Sequence, residues 1–161
     1  MKLHFTDTIP GDLDRITGIE RADDGWICPY SRERHLQCIN SGSERHVSIF
    51  HKEDDALVGF MILQNVDSPH RALQFRRIVI ADKDKGYGRA ALRWIKRHCF
   101  EELGFHRLWF DVYTDNQRAI QLYESEGFQR EATLRDAQFR QGRYRSLHVY
   151  SMLDREYFRG A

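Results

Sequence analysis

The chain has 161 residues, of which 25 are basic and 24 acidic, for a formal net charge of +1. That length suits one domain with one sizeable core, residues 1–161, and the balanced charge supplies no bulk field to draw nucleic acid or a membrane surface. Three cysteines without a CxxC pair and eight histidines without HExxH or a Cys/His zinc spacing exclude a disulfide framework and a built-in metal site, and no run reaches the length of a membrane span or a signal-peptide core, so a cytoplasmic protein is expected.

In chain order, "KLHFT" alternates and reads as a first strand. "PGDLDRITGIERA" carries Leu13, Ile16 and Ile19 at helical spacing, with Pro10 at the start. "SRERHLQCIN" gives a second helix after the turn-like "CPYS". "HVSIFHK" and "ALVGFMILQNV" read as a hairpin through the charged "EDD", and "ALQFRRIVIA" as the next strand. From Gly86 to Leu103 the residues Ala91, Leu92, Ile95, Cys99 and Leu103 form one apolar stripe, stopped by Gly104. Cys99 lies on that stripe and reads as core, not as a nucleophile. "RLWFDVY" is a strand, and "TDNQRAIQLYESEGF" a helix with Thr114 and Gln117 as a capping-box-like start and Gly127 at its end. "REATLRDAQFRQGRYRSLHVYSML" gives two long strands around Gln141-Gly142. The order β-α-α-β-β-β-α-β-α-β-β predicts an α/β chain with a mixed sheet. The segment Leu73 to Tyr113 is predicted to be a right-handed crossover joining parallel strands.

The stretch "ADKDKGYGRAA" opens the third helix. Backbone N–H groups in a first helical turn have no internal partner, and with the helix dipole they attract anions. Glycine lets a phosphate approach the backbone, and Lys83, Lys85 and Arg89 add positive charge. A plain glycine turn with solvated charges explains the same letters. So does a dinucleotide fingerprint, since "GYGRAA" matches G-x-G-x-x-A and Asp111 ends the next strand as a candidate ribose-binding acid. That fold, however, runs its strand almost directly into the first glycine, and here Asp82 to Lys85 intervene. A Walker A loop is excluded, because no Gly-Lys-Ser/Thr follows.

"KDKGYG" resembles the Q/R-x-x-G-x-G/A signature of the GNAT superfamily of N-acetyltransferases, with Lys83 in the first position. "DNQRAIQLYESEGFQREATLR" resembles the family's later motif, and the final "GRYRSLHVYSML" is similar to the ends of many such enzymes. The resemblance covers the chain from about Ala56 onward and points to the ribosomal-protein-alanine or small-amine kind. It implies a GNAT-like fold: a mostly antiparallel sheet splayed around one parallel β-α-β unit, with about four helices. It also implies acetyl-CoA as co-substrate, no metal, and direct transfer to a primary amine on a small molecule or a protein N-terminus, with a homodimer as a possible assembly. A nicotinamide-dependent oxidoreductase and a non-catalytic coenzyme A-binding domain stand as the alternatives.

Carried onto this sequence, the resemblance gives the pantetheine arm to the backbone of Ile78, Val79 and Ile80. It gives the pyrophosphate to Lys83, Asp84, Lys85, Gly86, Tyr87, Gly88 and Arg89. The plain reading of the first three is a buried strand, and of Tyr87 a surface aromatic. Asn116 is implied to touch the cofactor, although Asn at that place equally suits a helix cap. Tyr123 is implied to stand beside the thioester sulfur, where a phenol can protonate the departing thiolate; from spacing alone it reads as packing. The base is not legible. Glu20, Asp23, Asp24 and Glu33 flank the first two helices, and "DDGWICPYS" mixes acids with Trp26 in a way that suits an amine pocket. Gln74 and Arg76 are candidates to face the cleft, and Arg76 or Arg77 to bind an acidic part of the acceptor.

Overall fold

The computed structural model describes residues 3–23 and 25–160. Its strands are β1 (Leu3–Asp7), β2 (Glu44–His51), β3 (Leu57–Gln64), β4 (Ala72–Ile80), β5 (Arg107–Tyr113), β6 (Gln129–Arg140) and β7 (Arg143–Leu153). They form one sheet in the order β1-β2-β3-β4-β5-β7-β6. Every neighbouring pair is antiparallel except β4–β5, the parallel pair expected from the crossover.

The helices are α1 (Leu13–Arg21), α2 (Arg32–Asn40), α3 (Tyr87–Arg97), α4 (Gln117–Ser125) and α5 (Asp154–Arg159). They divide between the faces because successive strand residues point to opposite sides. On β3, Phe60 and Ile62 pack with Leu13 and Ile16 of α1 and Cys38 of α2. Met61 and Leu63 pack instead with Ala91, Leu92 and Ile95 of α3 and Ile120 of α4. Cys99 lies in this second core at 0% exposure, and burial pushes its thiol up to about 12, as its place on the apolar stripe predicts. The α3 stripe ends in a π-turn over His98–Glu102 before Gly104. The short α5 has no counterpart in the sequence expectation. Its six residues are too few to show a period, and they are held by packing of Tyr157 on Phe100, with ring centroids 5.0 Å apart. The cap of α4 also differs from expectation. Asn116, not Thr114, is the N-cap, and its side chain accepts from the Ala119 N–H at 3.3 Å.

One irregularity positions everything that follows. On β3 the successive residues Ile62 and Leu63 pair with Arg77 and Phe75 of β4, so Arg76 is an extra, bulged residue. A bulge shifts the alternation by one. Leu73 and Phe75 face the α3/α4 core before it, whereas Val79 faces the α1/α2 core after it. Pairing of β4 with β5 covers only Ala72–Gln74 with Arg107–Trp109 and stops just short of the bulge. Beyond that point β5 stays with β7 along its whole length, while β4 stays with β3. The two parallel strands therefore diverge, and the β5-facing edge of β4 is left without a strand partner from about Arg76 to Ile80.

Candidate active site

A cleft of about 460 Å³ lies along this divergence. At one end it is walled by the loop before α3. Asp84 (φ +68°) and Gly86 (φ +76°) both take left-handed backbone, which turns successive N–H groups toward one side and suits an anion. Gly86 is the N-cap of α3 and offers no side-chain cap, so the first-turn amides carry no side-chain acceptor there. A Cβ at Gly88 would stand 3.4 Å from the Leu122 side chain, so the loop lies close against α4. These features fit a pyrophosphate.

The loop's charges are tied down more than the sequence implies. Lys83 reaches Asp23 at 3.5 Å, Lys85 holds Asp82 at 2.9 Å, and Asp84 accepts from Arg118 at 2.7 Å. Arg89 lies 2.5 Å from the buried Glu126 carboxylate, which Lys96 also meets at 2.9 Å. Burial works to raise that carboxyl, but the bonds from Lys96, Arg89 and Arg93 hold it below its ordinary range. Lys83, Asp84, Gly86, Tyr87, Gly88 and Arg89 line the cleft, as do Ile78 and Ile80; the side chains of Val79 and Lys85 do not. Val79 packs in the α1/α2 core, so any contact it makes with a ligand in the cleft falls to its backbone. Tyr87 is a core residue at 8% exposure rather than a surface aromatic. Asn116 lines the cleft while capping α4, so its two readings coincide.

Midway along, Tyr123 projects from α4 among aromatic rings. Its ring centroid is 4.3 Å from that of Phe110 and 5.9 Å from that of Phe75. Burial, and then the negative charge of Asp111, push its phenol above the ordinary value. Asp111 comes from the middle of β5, with 24% of its side chain exposed, and among the described residues its one ion pair is with the bulge residue Arg76 at 3.9 Å. Burial pushes its carboxyl up, against the pull of Arg76. Sequence reading took Asp111 only as a ribose ligand. The signal available was a lone acid inside the otherwise apolar "LWFDVY".

The side of the cleft nearest α1 is walled by Asp23, Trp26, Ile27 and Cys28 of the loop after α1, with Tyr113 and Gln138 also in the lining. Asp24 lies outside the described residues. The other acids considered for this end are elsewhere: Glu33 is exposed on α2, and Glu20 is buried at 1% exposure. Glu20 accepts from the Tyr30 N–H at 3.0 Å, from His35 at 2.8 Å and from Arg77. Gln74 pairs within the sheet and does not line the cleft. Among the described residues no group of three His, Cys, Asp or Glu side chains stands ready to hold a metal ion. Among them, too, no helix is long and apolar enough to cross a membrane.

The family model for the acetyltransferase (GNAT) family matches residues 14–128. The chain is 27% identical to the spermidine N(1)-acetyltransferase of Vibrio cholerae over 126 residues, covering 78% of this chain and 72% of that one. A chimera of the Vibrio cholerae spermidine N-acetyltransferase SpeG and hSSAT superposes with a TM-score of 0.89 at 25% identity, over 98% of this chain and 99% of the other. The Vibrio cholerae enzyme solved with CoA and spermine gives 0.86 at 25% identity, over 97% and 98%. The nicotinamide alternative finds no support: a dinucleotide fold is built on a mostly parallel open sheet, and this sheet has one parallel pair. The chain belongs to the acetyltransferase (GNAT) family and is an N-acetyltransferase that moves an acetyl group to an amine.

Proposed function

We propose that acetyl-CoA lies in the cleft with its phosphates over residues 83–89 and its pantetheine arm along the unpaired edge of Ile78–Ile80, and that a small primary amine enters on the side of the cleft lined by Trp26 and Tyr113. The divergence of β4 from β5 is the observation that carries this reading. It opens a slot with free backbone groups on one side and brings Asp111 and Tyr123 to its middle. Free N–H and C=O groups on a strand edge accept an extended amide chain as they would a further strand. Asn116 completes the wall on the α4 side.

Acetyl-CoA supplies the acetyl group as an activated thioester. Asp111 takes the proton that the amine nitrogen must lose as it bonds to the acetyl carbon. A carboxyl raised above its usual range is a better base than a solvated one. The Tyr123 hydroxyl gives its proton to the sulfur as the carbon–sulfur bond breaks and the electron pair leaves on sulfur. Its raised phenol keeps that proton at neutral pH. The products are the acetamide and a free thiol. The proton on Asp111 then returns, directly or through water, to the Tyr123 phenolate, which resets the pair. The chain is read as one N-acetyltransferase domain of the cytoplasm, with its three cysteines free. A homodimer belongs to the same reading, since β6 is an exposed edge strand. Thiol release measured over a panel of amines tests the proposal. Turnover with a small primary amine is expected, and turnover confined to protein N-termini would overturn it.

A further inference from the structure

The arginines at the acceptor end are not equivalent. Arg77 is buried and bonded to Glu20. Arg145 lies over Tyr113, its guanidinium carbon 3.8 Å from the ring centroid and 5.5 Å from that of Trp26, and it donates to Asp115 at 2.8 Å. Arg140 donates to the Ile27 carbonyl through one nitrogen, and although among the described residues its other terminal nitrogen is buried without a hydrogen-bond partner, it does not line the cleft. Arg76 differs from all three. The bulge carries it out of register, it lines the cleft with about a third of its side chain exposed, and it meets Asp111 only at 3.9 Å, near the limit of an ion pair.

We propose that Arg76 receives an oxyanion carried by the acceptor, so that this enzyme acetylates an amine bearing a carboxylate or phosphonate close to its nitrogen rather than a polyamine. This rests on the acetyl-transfer reading of the same cleft. A polyammonium chain needs several carboxylates, or open aromatic faces, along its length. Here Arg145 already takes one face of Tyr113 and approaches Trp26, which puts a fixed positive charge beside both rings and disfavours a second, polycationic one. Among the described residues the acids of this end are also committed: Asp23 to Lys83, Asp115 to Arg145 and Arg143, and Glu20 to Arg77. Asp111 remains, and it is occupied with the reacting amine. A zwitterionic acceptor solves both halves at once. Its amine goes to Asp111 and its oxyanion to Arg76, so a long internal pair is exchanged for two closer ones with no charge left uncompensated.

The experiment compares wild type with Arg76→Gln and Arg76→Lys on matched acceptors: an α-amino acid, its carboxamide, the aminoalkylphosphonate of equal length, and spermidine. Thiol release gives kcat/KM for each, and melting in the presence of CoA confirms that the variants fold. Wild type is expected to favour an acidic acceptor over the carboxamide by roughly 10-fold or more, the usual worth of a charged hydrogen bond. The ratio should fall toward one in Arg76→Gln. Arg76→Lys should restore it in part, since a point charge replaces the two-pronged donor. The carboxylate and phosphonate arms show which oxyanion is preferred. A preference for spermidine or the carboxamide in wild type overturns the proposal, and so does an acid preference that survives Arg76→Gln. Calorimetry of the N-acetylated acid and its carboxamide on the protein–CoA complex reads the same selectivity without turnover. An Arg76-dependent preference there with no turnover on any amine counts against acetyl transfer and not against the oxyanion site. Equal binding of acid and carboxamide counts against the oxyanion site.

Discussion

Glu20 and Asp111 are carboxylates in one small protein, each paired with an arginine from the bulge of β4. Glu20 meets Arg77 and is otherwise surrounded: His35 and the Tyr30 N–H complete its shell. Hydrogen bonds continue from His35 to His46 at 3.0 Å, from His46 to Thr8 at 2.8 Å and from Thr8 to Ser48 at 2.7 Å. Burial works to raise the Glu20 carboxyl, but His35, Arg77 and Tyr30 outweigh it and hold the group below its ordinary value. Among the described residues Asp111 has only the distant Arg76, and burial wins there. A fully satisfied carboxylate is fixed and inert, whereas a poorly satisfied one is a better base. The bulge creates both environments by sending adjacent arginines to different places. Glu20 ties both ends of the 22–31 loop to the sheet, and Asp111 faces the space that loop encloses.

The comparison predicts opposite phenotypes. Tyr123→Phe keeps the ring and removes the proton donor, and Asp111→Asn keeps the shape and removes the base. Each should lower kcat by roughly 10²–10⁴-fold, with no large loss of melting temperature. Glu20 substitutions should leave a folded remnant with far milder kinetic effects. Full kcat in Tyr123→Phe, once chemistry is shown to limit the rate, removes the assigned role.

Glu20→Gln should act on stability. It leaves Arg77, with its side chain 5% exposed, without a counter-charge. Breaking a buried pair from one side costs about 3–5 kcal/mol. Urea unfolding of the variant beside wild type measures this. A loss under about 1 kcal/mol would mean that solvent reaches Arg77 and that the network is not closed.

Much of this architecture is legible in the sequence because it is local. Strand alternation, helical stripes and the glycines at the mouth of α3 each need only a dozen neighbouring residues to show. The proposed phosphate loop rests on that local pattern, and the role proposed for Tyr123 on a motif. The bulge was hidden: "QFRRIVI" alternates acceptably in either register, and only two adjacent arginines hint that one is extra. With the bulge hidden, Arg76 and Arg77 could not be told apart, nor could the divergence that makes Asp111 matter. The Glu20 network was hidden for another reason. Thr8, Glu20, His35, His46 and Arg77 come from separate parts of the chain, and no spacing rule joins them. At the start of α4 two cap-forming residues stand two apart, and the backbone chose Asn116 over Thr114.

The network also carries a pH signature. Burial, and then the nearby His35, depress His46 to about 3 from an ordinary 6.5, with Glu20 pulling the other way. The unfolded chain therefore binds a proton between these values that the folded chain refuses. Stability from this group is complete above the unfolded value and is lost as pH falls toward the folded one, at up to about 1.4 kcal/mol per pH unit. Unfolding free energies from pH 7 down to pH 4 should fall with that slope, and His46→Gln should flatten it if the variant folds. An unchanged slope would move the acid sensitivity elsewhere.

The smallest effect is the most discriminating, because its sign separates the two carboxylates. For Asp111 the folded value lies above the unfolded one, so the folded chain holds the proton more tightly. Stability from this group is highest at acid pH and declines as pH rises through the window between the unfolded and folded values. At neutral pH the ionised Asp111 is thus a burden on the fold, one that the proposed base role accounts for. Asp111→Asn should leave stability unchanged or raise it by up to about 1 kcal/mol, as removal of a reactive group from a strained site often does. Arg76, a third exposed, can turn to water when its partner goes. Melting of wild type and Asp111→Asn, followed from pH 7 down to the ordinary carboxylate range, reads the sign. The variant should gain most at pH 7, and its advantage should shrink as the pH falls through the window between the folded and unfolded values. A loss of more than about 1 kcal/mol at pH 7 would show that Arg76–Asp111 is a structural pair like Arg77–Glu20, and the contrast between the two would be gone.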